Sequence, residues 1–460
     1  MMYDHDTFIS PLTWRYGSEE MKKVFSEENK RKLLRRIWIA LAKAESEYGL
    51  VSKEQLDELI EHKDDVDIKR ASEIENEIHH DLMAEIRTYA EQCPKAGGII
   101  HLGATSMDAL DNADIIRYKE ALEIIRKKLS ALIEELANRA MEYKDMPTMA
   151  FTHIQPAEIT TVGYRLAQTL QDLADDYDEL VHFSNTIRAK GFKGAVGTAA
   201  SYVELLGESA VEFEKKAFDE LGLKTFTCST QIYTRKQDLR MTEVLSNISA
   251  TLYKFSQDFR ILQSPVIGEF SEPFGKKQVG SSAMPFKRNP INSEKIDSLA
   301  RIVSSSYSTA WNNATSTILE RSLDDSANRR IYIPEAFIAL DEMIATEIKI
   351  VRGMNIHEEA INRLLKNYGI FSATERLLMR LGKKGADRQK MHEIIREESL
   401  KAWDSIAKGK ENDLKSRLAE NAEIKKYMKE EEILEALDAS RYTGDASRRT
   451  EMICQEAKIK

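Results

Sequence analysis

Three stretches of this chain carry apolar residues at alternating steps of three and four, and that spacing constrains the fold more than any other feature. Leu122, Ile125, Leu129, Leu132 and Leu136 form the first; Leu166, Leu170, Leu173, Tyr177 and Leu180 form the second. The third is the longest: Met241, Leu245, Ile248, Leu252, Phe255, Phe259 and Leu262. Such steps line side chains along one seam of an α-helix, and a seam of several turns requires another helix packed nearly parallel or antiparallel against it. The spacing therefore predicts an all-α chain built around a long helical bundle. Core burial is the plain reading of these stripes, so no chemistry is assigned to them. Helices this long present more apolar area than one narrow domain covers, which predicts lateral association of several copies.

The punctuation agrees. Only 9 prolines and 20 glycines occur in 460 residues, and they gather mainly in Ala96 to Asp111, Asp145 to Thr161, Gly191 to Tyr202 and Pro265 to Pro290. These read as loops on a helical frame, where chemistry usually sits. Asn29 to Leu50 reads as an amphipathic helix, and the chain after Asn355 as a smaller, highly charged helical domain. With 42% apolar and 31% charged residues, most of the chain has enough apolar surface to fold. A net charge of −9, with both signs interspersed, argues against nucleic acid as a general partner and leaves an anionic small substrate open. Cys93, Cys228 and Cys454 are odd in number and far apart, so neither a disulfide framework nor a zinc site is expected, and a reducing compartment fits. No apolar run reaches signal-peptide or membrane-span length, so the expected location is cytoplasmic, without membrane contact.

Four motifs offer chemistry. Gly280 to Pro290 brings a hydroxyl, a cation and an amide, from Ser281, Lys287 and Asn289, into one short loop suited to an anion. Thr152-His153-Ile154-Gln155-Pro156 follows a proline-marked break and precedes a helix expected to begin near Thr160. An isolated histidine there would more often be a structural hydrogen-bonder. His79-His80-Asp81 falls on a predicted helix, where adjacent side chains point about 100° apart and cannot share a metal. His101-Leu102-Gly103-Ala104-Thr105-Ser106 precedes a helix expected near Asp111; its hydroxyls serve equally as carboxylate donors or helix caps.

Gly280 through Asn289 matches the pattern Gly-Ser-x-x-Met-x-x-Lys-x-Asn at every fixed position, and the chain thereby resembles the fumarase/aspartase superfamily. From about Ser10 to about Arg449 it is similar to the adenylosuccinate lyases, particularly those of animal type. The supporting segments are Ser10-Pro11-Leu12 with Arg15-Tyr16, Thr230 to Lys236, and Arg321 to Arg330. Phe286 stands where many relatives have histidine, so no histidine in the mobile loop is available to relay a proton.

The resemblance implies a three-domain all-α fold divided at 1–110, 111–354 and 355–460, with the signature loop at 276–290. It implies β-elimination of fumarate from adenylosuccinate and from the succinyl-carboxamide ribotide of purine synthesis. In that scheme Ser281 is the base, His153 the general acid with Glu294 as its carboxylate partner, and His80 a substrate-contacting histidine. Lys287, Asn289, Thr105 and Ser106 hold the carboxylate on which charge develops. Arg321 reaches the succinyl side; Arg15, Tyr16, Ser326 and Arg330 take the phosphate; Gln231, Asp81 and Thr152 complete the substrate contacts. A homotetramer whose sites draw on several subunits is implied, with no metal or organic cofactor. The alternatives are another superfamily member, such as argininosuccinate lyase or a carboxymuconate cycloisomerase, or a non-catalytic structural protein with the lyase fold.

Overall fold

The computed structural model describes residues 6–458, and helices dominate it. The five longest span Ser106–Glu142, Val162–Thr186, Lys236–Gln263, Ile291–Ser316 and Ser326–Gly353. Every residue of the three stripes is buried within them, Leu262 being the most accessible at 8%. The Asn29 to Leu50 expectation is met by Glu27–Ser46, which begins two residues earlier because the Ser26 hydroxyl accepts from the Asn29 amide at 3.2 Å. Glu27 and Glu28 in its first turn and Lys43 in its last suit the helix dipole. Among the described residues no helix is long and apolar enough to cross a membrane.

The chain forms two compact units, each drawing on three stretches: Met1–Leu129, Asp176–Ala250 and Ser298–Ala345 in the first, and Ser130–Asp175, Thr251–Asp297 and Thr346–Lys460 in the second. In the first unit, aromatic rings pack tightly, Phe192 against Phe218 at 4.9 Å and Tyr202 against Phe213 at 5.1 Å. In the second, Leu377, Leu381, Leu414, Leu418, Ile424 and Ile433 form a core beneath the C-terminal helices. Cys93 and Cys454 are buried and Cys228 exposed, all as free thiols.

Three local expectations need correction. Asp145 to Thr161 is largely a β-hairpin, Pro147–Thr152 paired antiparallel with Gln155–Thr161, and the helix after it begins at Val162. The helix after the His101 motif starts early, at Ser106 rather than near Asp111, because the Asp108 carboxylate accepts from the Thr105 amide at 3.0 Å and closes its first turn. His79 and His80 do not lie within one helix. His79 ends Ile68–Ile78 in a left-handed conformation, and extended His80 caps Asp81–Gln92, its Nδ1 accepting from the Met83 amide at 3.2 Å.

In the second unit Glu347 is only 2% exposed, and the Ser256 hydroxyl donates to it at 3.1 Å. Burial pushes its carboxyl up to about 8; the Ser256 bond opposes this and the charges of Glu272 and Asp297 add to it. Because the folded value lies above the unfolded one, the stability it contributes is complete below about 4.5 and is lost as pH rises through about 8. The slope of the loss is about 1.4 kcal/mol per pH unit. Glu347→Gln preserves the neutral shape and is expected to flatten the fall in unfolding free energy between about pH 6 and about pH 8. Urea titrations at several pH values would show it; parallel falls in both proteins would contradict it.

Candidate functional site

In the first unit, Ser10 caps the short helix Pro11–Trp14, and the chain then turns at Gly17. A Cβ at Gly17 would lie 2.3 Å from the Ile338 side chain, and its φ of +79° favours glycine, so this residue permits the close approach. The Gly17 amide donates to Glu342 at 3.0 Å and the Ser18 amide to Asp341 at 2.7 Å. Arg15 is thereby held exposed beside half-buried Tyr16, its guanidinium 5.8 Å from that ring.

Exposed Arg330 donates to Asp81 at 2.9 Å. Burial pushes the Asp81 carboxyl up, but Arg330, Lys30 and the Leu82 amide outweigh it and hold the group below its usual value. Since His80 commits Nδ1 to the cap, Nε2 is the ring nitrogen left for a ligand. Arg321, Ser326 and Arg330 line one cavity of about 130 Å³ together with Lys30, Arg117 and Arg329. The last three are cations that motif reading missed. Arg329 and Arg330 are consecutive, so the motif contained a signal for one of them, whereas Lys30 and Arg117 lie far away in sequence.

A buried network fixes this region. Asp325 accepts from Arg321 at 2.8 Å and from Arg235 at 2.6 Å, and Arg235 reaches Asp111 through two further bonds at 3.2 and 3.1 Å. Asp111 also accepts from the Tyr233 amide at 2.9 Å, and the Gln231 amide donates to the Glu320 carbonyl at 3.3 Å. Gln231 and Arg321 therefore belong to one connected frame. Thr105 and Ser106 begin a helix whose buried Asp108 binds Lys190 and the amides of Lys193 and Gly194. Nearby, burial lowers His101 to about 4, so it is neutral and its Nδ1 accepts from the Trp38 indole at 3.0 Å.

In the second unit, Thr152 ends the first strand of the hairpin and His153 and Ile154 are its two-residue turn. Both have positive φ, 54° and 60°, which is the primed-turn geometry that asparagine and glycine normally occupy. Ile154 is 71% exposed, so no packing explains an isoleucine there. The hairpin base is firm: buried Glu269 accepts from Thr148 at 2.7 Å and pairs with Arg165, which also donates to the Met149 carbonyl at 2.6 Å. His153 makes no hydrogen bond among the described residues. Glu294 lies in the first turn of its helix, 3.7 Å from Arg260, and no hydrogen bond joins it to His153 among the described residues.

The signature loop folds on itself. Gly280 passes so close to Lys287 that a Cβ would lie 2.0 Å from its carbonyl oxygen, and the Asn289 side chain donates to the Gly280 carbonyl at 3.2 Å. The Ser281 hydroxyl accepts from the amides of Ala283 and Met284 at 3.4 and 3.1 Å. Two N–H dipoles aimed at one oxygen favour negative charge on it. Lys287 is exposed on the same loop.

Comparison with known proteins places the chain in a family. Residues 15–304 match a family model described as lyase, and residues 371–452 one described as adenylosuccinate lyase C-terminus. The chain is 39% identical to an adenylosuccinate lyase of Saccharomyces cerevisiae, over 99% of this chain and 95% of the relative. With that of Schistosoma mansoni it shares 41% over 91% and 88%, and with that of Pyrococcus horikoshii 37% over 95% of each. Among solved structures, a 3-carboxy-cis,cis-muconate lactonizing enzyme from Pseudomonas putida superposes with a TM-score of 0.86 at 22% identity, covering 98% of this chain and 99% of that one. A fumarate lyase from Mesorhizobium sp. BNC1 gives 0.85 at 20%, covering 95% and 98%, and these two likenesses establish the shared all-α fold. Matched along almost its whole length by such relatives, and by the two family models over 15–304 and 371–452, the chain belongs to the adenylosuccinate lyase family.

Proposed function

We propose that this chain eliminates fumarate from adenylosuccinate to give AMP, and from the succinyl-carboxamide ribotide to give the carboxamide ribotide, in purine biosynthesis. Ser281, as its alkoxide, takes a proton from the succinyl carbon beside the carboxylate and becomes the neutral hydroxyl; the C–N bond then breaks with its electrons going to nitrogen. His153 protonates that nitrogen, and Glu294 orients the imidazole. The difficulty is the second negative charge that deprotonation drives onto an ionised carboxylate, which preorganised donors must meet. Lys287, Asn289, Thr105 and Ser106 have that task. Arg321 reaches the succinyl side, His80, Asp81, Thr152 and Gln231 make further substrate contacts, and Arg15, Tyr16, Ser326 and Arg330 take the phosphate, Arg330 exchanging Asp81 for it. No metal or organic cofactor enters the scheme.

Family membership along the chain carries this reading. The paired amides on the Ser281 oxygen support it further, because a serine hydroxyl serves as a base only where its alkoxide is stabilised. Incubating purified protein with adenylosuccinate and following the loss of its absorbance tests it. A protein silent on adenylosuccinate and active on argininosuccinate would overturn the substrate.

The working form in this proposal is a cytoplasmic homotetramer, with domains 1–110, 111–354 and 355–460 in each subunit and sites shared between subunits. Exposed Ile302, Trp311, Ile318, Leu319 and Leu323 support association, since such side chains gain by being covered. Sharing has a direct consequence. Mixing inactive Ser281→Ala protein with inactive His153→Ala protein is expected to restore partial activity after subunit exchange, whereas sites confined to one subunit would restore none.

A further inference from the structure

From 273 to 290 no residue is buried, so apolar packing does not hold the signature loop in place. Its internal bonds close it into one body. Beyond those linking Ser281, Gly280 and Asn289, the Gln278 side chain accepts from the Gly275 amide at 3.1 Å, and the Arg288 guanidinium lies 5.2 Å from the Phe274 ring. The two ends are also fastened to each other. Glu272, immediately before the loop, accepts from the Asn292 amide and side chain at 3.2 and 2.8 Å, and from the Ser293 amide and hydroxyl, both at 2.7 Å.

At its first residues this body meets the frame where Pro273 packs on Gly353 and where Asn355 donates to the Ser271 hydroxyl and the Glu272 carbonyl at 3.3 and 3.4 Å; farther along, one side chain holds it. Gln263, the last residue of Lys236–Gln263, accepts from the Glu272 amide at 2.9 Å and donates to the Arg288 carbonyl at 3.1 Å. Among the described residues, that second bond is the only hydrogen bond from 273–290 to anything but the loop itself and the start of the following helix. Beside it lies a polar cavity of about 410 Å³, bordered by Asn355 and His357.

We propose that Gln263 is a positioning residue that latches the base of the signature loop, so that 273–290 moves over substrate as a single body about that point. The proposal rests on the reading of Ser281 as the base. Gln263 touches no reacting atom; it sets where Ser281 can travel, which matters most in the transition state. Its loss therefore acts on kcat more than on KM.

The test compares wild type, Gln263→Ala and Gln263→Met, the last of which keeps most of the side-chain bulk while removing both bonds. Two readouts are taken: trypsin cleavage at Lys276, Lys277, Lys287 and Arg288 without substrate, and steady-state kinetics on adenylosuccinate. Both variants are expected to be cut in the loop about tenfold faster and to lose about tenfold in kcat, with KM within about twofold and an unchanged Tm. Unchanged cleavage, or a methionine variant that behaves as wild type, overturns the latch. Faster cleavage with unchanged kcat overturns its part in the reaction. Because cleavage is read without substrate, the latch is tested even if the chain proves inactive on adenylosuccinate, and the two failures are told apart.

Discussion

Replacing Ser281 by alanine is expected to lower kcat on adenylosuccinate by about 10²–10⁴-fold, the range for removing a positioned proton acceptor. KM should change little, because the lysine, amide and arginine contacts proposed for the substrate remain. Stability should not change either, since Ser281 sits in a segment without buried residues and its hydroxyl bonds only to neighbouring loop amides. Steady-state kinetics with a parallel melting curve separate the effects. A variant that keeps wild-type kcat would remove Ser281 from the mechanism.

Arg235→Met should act on stability first. Arg235 is almost wholly inaccessible and lies between two buried carboxylates, Asp111 and Asp325. Removing the cation leaves both acids short of their main partner in a region where water cannot replace it. Breaking such a buried arrangement typically costs about 3–5 kcal/mol, although a well-packed apolar replacement of the whole network can be neutral. Urea unfolding should show that loss. Asp325 would also turn entirely to Arg321, so KM for adenylosuccinate should rise through displacement of Arg321, the proposed succinyl contact. Adding Asp111→Asn to Arg235→Met should recover part of the stability, because one stranded charge is then removed. A single variant as stable as wild type would show that the network contributes no more than an exposed ion pair does.

What could be read from the sequence was whatever is periodic or contiguous. The stripes from Leu122, Leu166 and Met241 predict buried helix faces because burial and helical period are the same physical fact. The motifs around Ser281, His153 and Arg321 were legible because their residues are neighbours in the chain. Pairings across long separations were not. Asp111 and Arg235 are 124 positions apart and Asp81 and Arg330 249, and no local pattern marks either partner for the other. The hairpin was missed for a different reason. Proline and a histidine-isoleucine pair stand where strand alternation and an asparagine-glycine turn would have announced it, although Ile159, Thr160 and Thr161 are β-formers. At His79 and His80 the helix breaks without glycine or proline, so the charged helical pattern runs across it unmarked.

The hairpin tip has a consequence for anyone engineering this enzyme. Isoleucine and histidine are costly in its backbone geometry, and glycine or asparagine would relieve that cost at once. Selection for heat resistance alone would therefore drift toward those residues at 153 and 154, and a hardier protein would emerge without the imidazole proposed to donate the proton.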